Sequence, residues 1–335
     1  MTPLTLSTSD ARAGLVLARD VRGVLPKGKL LSGEDAARLR ALPAAELHVL
    51  SLEPGDLHED AAGARLAAAA AGQEVEVQPP LGGAFPLVAR RRGLVEVDAA
   101  RLAQVNELDD LMVTTLPHGQ VVLDGEVVAR AKVIPFVTLE ERVRSAEAAA
   151  RPGLVSVRAF VPLRVAAVIE DRLDEATLAR FTRDFGEKVR FFGSELSGVE
   201  HAPQRGLSGA LAAAAAGGAQ LIVLAGGRPM DPLDPALQAL KAAGGRLIKH
   251  GLAVHPGALL WLGALGAVPV VGVPSCAVAS KASSLDLLLP LLFTGREVTR
   301  KDLAALGAGG LITRESNLRL PPYRRPGARG ELDPP

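Results

Sequence analysis

"LIVLAGGRPMDPLDPALQALKAAGG", residues 221–245, decides how the chain reads. An apolar run ends in Gly226 and Gly227, and two aspartates follow, Asp231 and Asp234, each directly before a proline. An unbroken apolar run closed by glycines fits a strand buried on both faces. Asp234 suits a helix N-cap, Pro235 the first helical position, and Gly244 or Gly245 the helix end. Strand, glycine loop and helix together form the repeating unit of an open parallel sheet. Ligands of such sheets sit beyond the carboxyl ends of the strands. Gly226 and Gly227 therefore mark a candidate ligand edge, where a backbone without Cβ turns sharply and approaches a bound molecule. A helix N-terminus beside glycines can also hold an anion.

The same rhythm extends outward from this stretch. From residue 163, "LRVAAVIE" reads as a strand and "DEATLARFTRDFG" as a helix closed by Gly186. "KVRFFGSEL" reads as a strand, "QRGLSGALAAAAAG" as a helix, and "RLIKHGLAV", "GALLWLGAL" and "VPVVGVP" as strands before the helix "KASSLDLLLPLLFTG". Alternating apolar strands and helices predict a three-layer α/β/α domain with a mostly parallel sheet over 163–315. Residues 1–75 read as mixed α/β. Ser32 is placed to cap a helix, and Asp56 and Glu59 stand at capping-box spacing before an alanine-rich helix. Residues 76–150 alternate apolar and polar positions with Gly and Pro at the breaks, a β-rich region. A helix at 139–150 and a joint at "RPG", 151–153, close it. The tail 316–335, rich in Pro and Arg, reads as disordered.

The bounds on function are broad. The chain has 335 residues, a net charge of +1, 22% charged and 48% apolar residues, which describes a soluble globular protein with no call for a nucleic-acid partner. One cysteine, Cys276, excludes an intrachain disulfide and fits a reducing cytosol. No signal-peptide pattern opens the chain, and no apolar run reaches the ~20 residues of a membrane-spanning helix. A cytoplasmic location is the expectation.

Two further loops should reach the edge marked by Gly226. One holds His255, Pro256 and Gly257; the other runs from Gly272 through Pro274, Ser275 and Cys276 towards Lys281. Glycines, helix N-termini, a lysine and two carboxylates suit a phosphate-bearing ligand with Mg²⁺, which takes one or two carboxylates plus phosphate oxygens. Asp231 and Asp234 are the candidate metal ligands. Each residue also has a plainer reading: Asp234 caps a helix, the glycines make a tight turn, and Cys276 is a small buried residue. "GDLHED", 55–60, invites a metal reading through Asp56, His58, Glu59 and Asp60, although capping alone explains it. "ARRRG", 89–93, reads as a solvated turn. No Walker loop, G-x-S-x-G elbow or Cys/His metal spacing is present.

Taken together, the strand, the Gly-Gly loop with aspartates, the "PG" loop and "VPSCAVASKASSLD" resemble the molybdopterin-binding domain of molybdenum-cofactor biosynthesis proteins. That domain occurs in molybdopterin adenylyltransferases and molybdopterin molybdotransferases. The resemblance runs from about residue 163 to 312 and includes "VTRKDLAALGAGGLI". "EPGDLHEDAA" and "LPHGQVV…GEVVARAKVIPF" are similar to the binding module often fused ahead of a molybdenum cofactor cytidylyltransferase. The resemblance implies a site for molybdopterin, or its nucleotide or molybdate-loaded form. It would be lined by Gly226, Gly227, Asp231, Asp234, Pro256, Gly257, Gly272, Pro274, Ser275, Cys276 and Lys281. It also implies a homo-oligomer and a cytidylyltransferase or other maturation partner. Where catalytic relatives carry a fuller glycine-and-hydroxyl loop, a lysine after "PG" and Thr-Gly after the first strand, this chain has "AGGRPMD", Ala258 and "EDR". The resemblance therefore favours a binding protein. The alternatives are a Mg²⁺-dependent molybdotransferase or adenylyltransferase using Asp231 and Asp234 as catalytic residues, and more remotely a nucleotide phosphohydrolase.

Overall fold

The computed structural model describes residues 1–202, 206–227, 230–274, 283–313 and 320–323. Three strands, β1 (Thr2–Ser7), β2 (Leu15–Leu17) and β3 (Glu46–Ser51), pair antiparallel in the order β1–β3–β2. Helix α1 (Gly33–Arg40) packs Ala36 and Leu39 against Leu15, Leu17, Leu47 and Val49. Ser32 caps it through a reciprocal box with Asp35.

A second core spans residues 56–159. Its first elements are β4 (Asp56–His58), α2 (Glu59–Ala70), β5 (Val75–Val77), β6 (Ala84–Ala89), β7 (Gly93–Val97) and α3 (Ala99–Asn106). They are followed by β8 (Leu111–Thr115), β9 (Val121–Val122), β10 (Val127–Val133), β11 (Val137–Leu139), α4 (Glu140–Ala150) and β12 (Val155–Ala159). The strands pair antiparallel as β5–β6–β10–β8, β12–β7–β9 and β11–β4.

This core corrects the sequence reading in four places. The boundary expected at 75–76 cuts through it, because Leu66, Ala67 and Ala70 of α2 pack with Leu87, Val95, Val113 and Val143. The joint expected at 151–153 is interior, since β12 follows it and pairs with β7. The region 76–150 is not only β-rich: Asp98 accepts the backbone N–H of Arg101 at 3.0 Å and starts α3 there. Finally, α2 is capped by His58, whose Nδ1 accepts the N–H of Asp60 at 3.3 Å, and not by Asp56.

The third part holds β13 (Arg164–Ile169), α5 (Glu175–Phe191), β14 (Glu195–His201), α6 (Leu207–Ala216), β15 (Leu221–Ala225) and α7 (Pro235–Ala242). After these come β16 (Arg246–His250), β17 (Trp261–Leu265), β18 (Val268–Val273), α8 (Leu285–Leu292) and α9 (Arg300–Ala305). The strand order is β14–β13–β15–β18–β17–β16. The strands alternate their buried residues between two faces. Val165, Ala167 and Ile169 face Phe181, Phe185 and Val189 of α5 and Leu288 of α8. Ala166 and Val168 face Leu207 and Leu211 of α6 and Leu240 of α7. Both faces are thus apolar, and each fully buried large side chain contributes about 1.5–3 kcal/mol.

The sheet is mixed. The pairs β13–β14, β13–β15 and β15–β18 are parallel, but β18–β17 and β17–β16 are antiparallel. The reason is connection length. Leu265 pairs with Val268 across a two-residue turn carrying Gly266 at φ +60°. A parallel pair needs a crossover of a dozen or more residues, whereas only residues 251–260 join β16 to β17. Helix α5 also corrects the reading: it runs through Gly186 to Phe191, because Phe181, Phe185 and Val189 keep a continuous buried face. In the tail expected to be disordered, Leu320 is buried and Tyr323 packs edge-on against Phe191 at 5.2 Å. Among the described residues no helix is long and apolar enough to cross a membrane.

Gly272 lies opposite Trp261, and a Cβ there would fall inside the indole ring. Gly272→Val is expected to cost about 2–3 kcal/mol. Urea unfolding reads this as a lower midpoint at unchanged slope.

Candidate functional site

The parallel register brings three strand ends to one level. Ile169 is paired with Ala225, and Ala225 with Val273. The ladder continues one residue further: the N–H of Glu170 donates to Ala225 O and that of Gly226 to Val273 O, both at 2.8 Å. Glu170, Asp171, Gly226, Gly227 and Pro274 therefore share one edge. His201, at the end of β14, joins them through Nε2 on the carbonyl of Asp171 at 2.8 Å. The loop 251–260 lies at the same edge, because His250 pairs with Trp261 and Trp261 with Gly272.

Gly226 (φ +139°) and Gly227 (φ +67°) hold backbone conformations that L side chains rarely adopt. Their neighbours explain why. A Cβ on Gly226 would lie 2.6 Å from Glu170 Cβ. A Cβ on Gly227 would lie 2.9 Å from Glu170 Oε2 and 3.2 Å from Asp234 Oδ2. The two carboxyl groups thus flank Gly227. Glu170 is 7% exposed, and among the described residues its Oε2 has no hydrogen-bond partner. Burial first, then the charges of Asp234 and Asp171, push its carboxyl above the usual carboxylate range.

Asp234 is buried and caps α7, accepting the N–H of Ala236 at 3.0 Å. Asp231 is exposed, and its Oδ1 accepts the N–H of Leu233 at 2.9 Å. Among the described residues no group of three or more His, Cys, Asp or Glu side chains is arranged to hold a metal ion. His58 and Asp60 are engaged locally, with His58 Nε2 on the carbonyl of Gly28 at 2.7 Å. Arg90, Arg91 and Arg92 of the basic turn meet Glu76, Glu74 and the ring of Phe191.

The glycine loop was expected to offer free N–H groups to an anion, and several in its described part are already used. The Gly226 N–H belongs to the ladder, the Gly227 N–H points at Asp171 Oδ1 at 3.4 Å, and those of 233, 234 and 236 are taken by Asp231 and Asp234. The edge at this point presents acceptors. Pro256 and Gly257 sit in the 251–260 loop, with Gly257 O accepting the hydroxyl of Ser284 at 2.8 Å. Gly272 has a packing role beneath Trp261. Ser275, Cys276 and Lys281 lie outside the described residues. Glu170 escaped the sequence reading, because one acid after an apolar run looks like the polar end of a strand. The signal was the pairing of that acid with a Gly-Gly step on the neighbouring strand.

No protein-family model matches the chain, and no curated protein matches it. Among solved structures the chain is similar to the molybdopterin biosynthesis MoeA protein of Pyrococcus horikosii. The identity is 14% and the TM-score 0.32, over 72% of this chain and 81% of that one.

A folded-state pKa raised above the unfolded one favours the folded protein while the carboxyl is protonated, and that advantage is lost as pH rises through the raised value. Glu170→Gln, a neutral mimic, is expected to melt above the parent at about pH 8, with the gap closing towards about pH 4. Calorimetry across that range checks it; a gap independent of pH would mean that the carboxyl titrates alike in the folded and unfolded chain, and a variant that melts below the parent at about pH 8 would mean that it has an ionic partner.

Proposed function

We propose that the chain is a molybdopterin-binding protein of molybdenum-cofactor biosynthesis, and that its sheet edge reads the pterin end of the ligand. Two things support the reading. One is the sequence resemblance over residues 163–312. The other, which carries it, is the buried Glu170 carboxyl with an orphan oxygen beside Asp234. A pterin presents an amino group and a ring N–H side by side, a donor pair that matches the two oxygens of a carboxylate. Gly227 lets such a ring approach without meeting a side chain. In this reading the phosphate of the ligand lies away from Gly226 and Gly227, since their carboxylate neighbours repel it, and towards Pro256, Gly257 and Pro274.

The binding reading is preferred to a Mg²⁺-dependent transferase because Asp231 and Asp234 each spend an oxygen on a backbone N–H. The phosphohydrolase alternative has no observation in its favour. Titration with molybdopterin under anaerobic conditions, followed by pterin fluorescence, tests the proposal. Glu170→Gln is expected to weaken binding about tenfold or more. Gly227→Val should abolish it, with far-ultraviolet dichroism unchanged. A parent that does not bind the pterin, or a Glu170→Gln variant that binds as the parent does, overturns the reading. Adenylyl or molybdate turnover with Mg²⁺ that is lost in Asp231→Asn would establish the transferase in its place.

A further inference from the structure

On the α5 side of the sheet another buried acid has a character opposite to that of Glu170. Asp286, in the first turn of α8, is fully buried. Its Oδ1 accepts Lys188 Nζ at 2.7 Å and the Tyr323 hydroxyl at 2.8 Å. Its Oδ2 accepts the backbone N–H of Ser283 at 2.7 Å and the Ser283 hydroxyl at 3.2 Å. Lys188 comes from α5 and is 5% exposed, and its Nζ stands 5.4 Å from the centre of the Tyr323 ring. Tyr323 comes from residues 320–323, more than thirty positions beyond α8, and packs on Phe191 and Phe192. Burial, then the charge of Asp286, raises its hydroxyl well above the usual tyrosine range, so the hydroxyl stays protonated and donates.

The residue next to Ser283 touches the candidate site. The hydroxyl of Ser284 donates to Gly257 O at 2.8 Å, and Gly257, at φ +111°, has no room for a Cβ because Ser284 fills that space. Hydrogen bonds therefore lead from Tyr323 through Asp286 to Ser283, and from its chain neighbour Ser284 to the 251–260 loop at the candidate edge.

We propose that Lys188, Asp286 and Tyr323 are positioning residues for the ligand edge, with residues 320–323 acting as a strap. While Tyr323 is docked, the Asp286 carboxylate clamps Ser283, fixes the first turn of α8 and so holds Gly257 where the ligand meets it. When the strap lifts, Asp286 keeps Lys188 but loses a donor and its cover, and the Ser284–Gly257 contact loosens. The ligand edge is thus regulated by whatever competes for residues 320–323. The functional consequence rests on the molybdopterin reading; the coupling between strap and loop does not.

Hydrogen–deuterium exchange on the full chain without ligand tests the coupling. Tyr323→Phe keeps the ring packing and removes one donor. It is expected to raise amide exchange about tenfold in both 283–287 and 251–260, leaving α6 and α7 unchanged. Lys188→Met/Asp286→Leu supplies a second variant that removes the ion pair without leaving a lone buried charge. It is expected to melt below the parent, because the Tyr323 hydroxyl and the Ser283 N–H lose their acceptor, and to exchange fast at 251–260 while α6 and α7 exchange as in the parent. Parent-like exchange at 251–260 in both variants makes the cluster a stability element only and overturns the proposal. Molybdopterin titration of Tyr323→Phe then reads the consequence as about tenfold weaker binding. A parent that binds no pterin, combined with the predicted exchange, would sink the ligand assignment and leave the strap standing.

Discussion

The parallel ladder β13–β15–β18 is the constraint on which the site depends. Because Ile169, Ala225 and Val273 are in register, the next residue of each strand emerges at the same level. The acid at 170 and the glycines at 226 and 227 are therefore forced together. Neither glycine could carry a side chain without striking Glu170. The Gly-Gly step thus admits a carboxyl group to the carboxyl end of the sheet, where helices on both faces exclude water. An oxygen buried there without a donor costs roughly 1–3 kcal/mol. Among the described residues Glu170 Oε2 is a buried oxygen that bears that cost, and in the proposed reading a ligand supplies the missing donor.

The local signals in the sequence carried further than the distant ones. Asp234 before Pro235 declares a helix start, and α7 begins there. Ser32 declares another, and α1 begins there. Such caps are legible because donor and acceptor are two or three residues apart. Gly186 misled for the same reason: glycine lowers helix propensity by about 1 kcal/mol, yet the buried face of Phe181, Phe185 and Val189 outweighs it. The antiparallel half of the sheet was missed because "GALLWLGAL" and "VPVVGVP" read as two further strands of a mostly parallel sheet, although the two-residue glycine turn between them fits only a hairpin. Glu170 and Tyr323 were illegible in principle. Their partners lie 64 and 37 positions away, and only the folded register brings them together.

Electrostatics separates the two ends of the ligand edge. The N–H groups of Gly226 and Gly227 are already used, and the carboxyl groups of Asp171 and Asp234 stand beside them. An anion meets repulsion there, and a cationic or N–H-bearing group meets acceptors. In the proposed reading, a molecule with an amino-bearing heterocycle at one end and a phosphate at the other binds with the heterocycle at Gly227, because the reverse orientation would place a phosphate against carboxylates and leave the Glu170 oxygen unpaired.

The contrast between two of the buried acids of this domain, Asp286 and Glu170, is the strongest reason to give them different roles. Asp286 has four donors from three parts of the chain, and nothing about it asks for another molecule. Glu170 has a buried oxygen with none among the described residues and a carboxyl driven towards its neutral form. Native interiors satisfy nearly all their polar groups, so an exception marks either strain or an absent partner. Glycines line the contact and the strand ladder around Glu170 is intact. In the proposed reading the ligand is the absent partner, and the fully satisfied acid fixes the helix start and loop that border the place where it would sit.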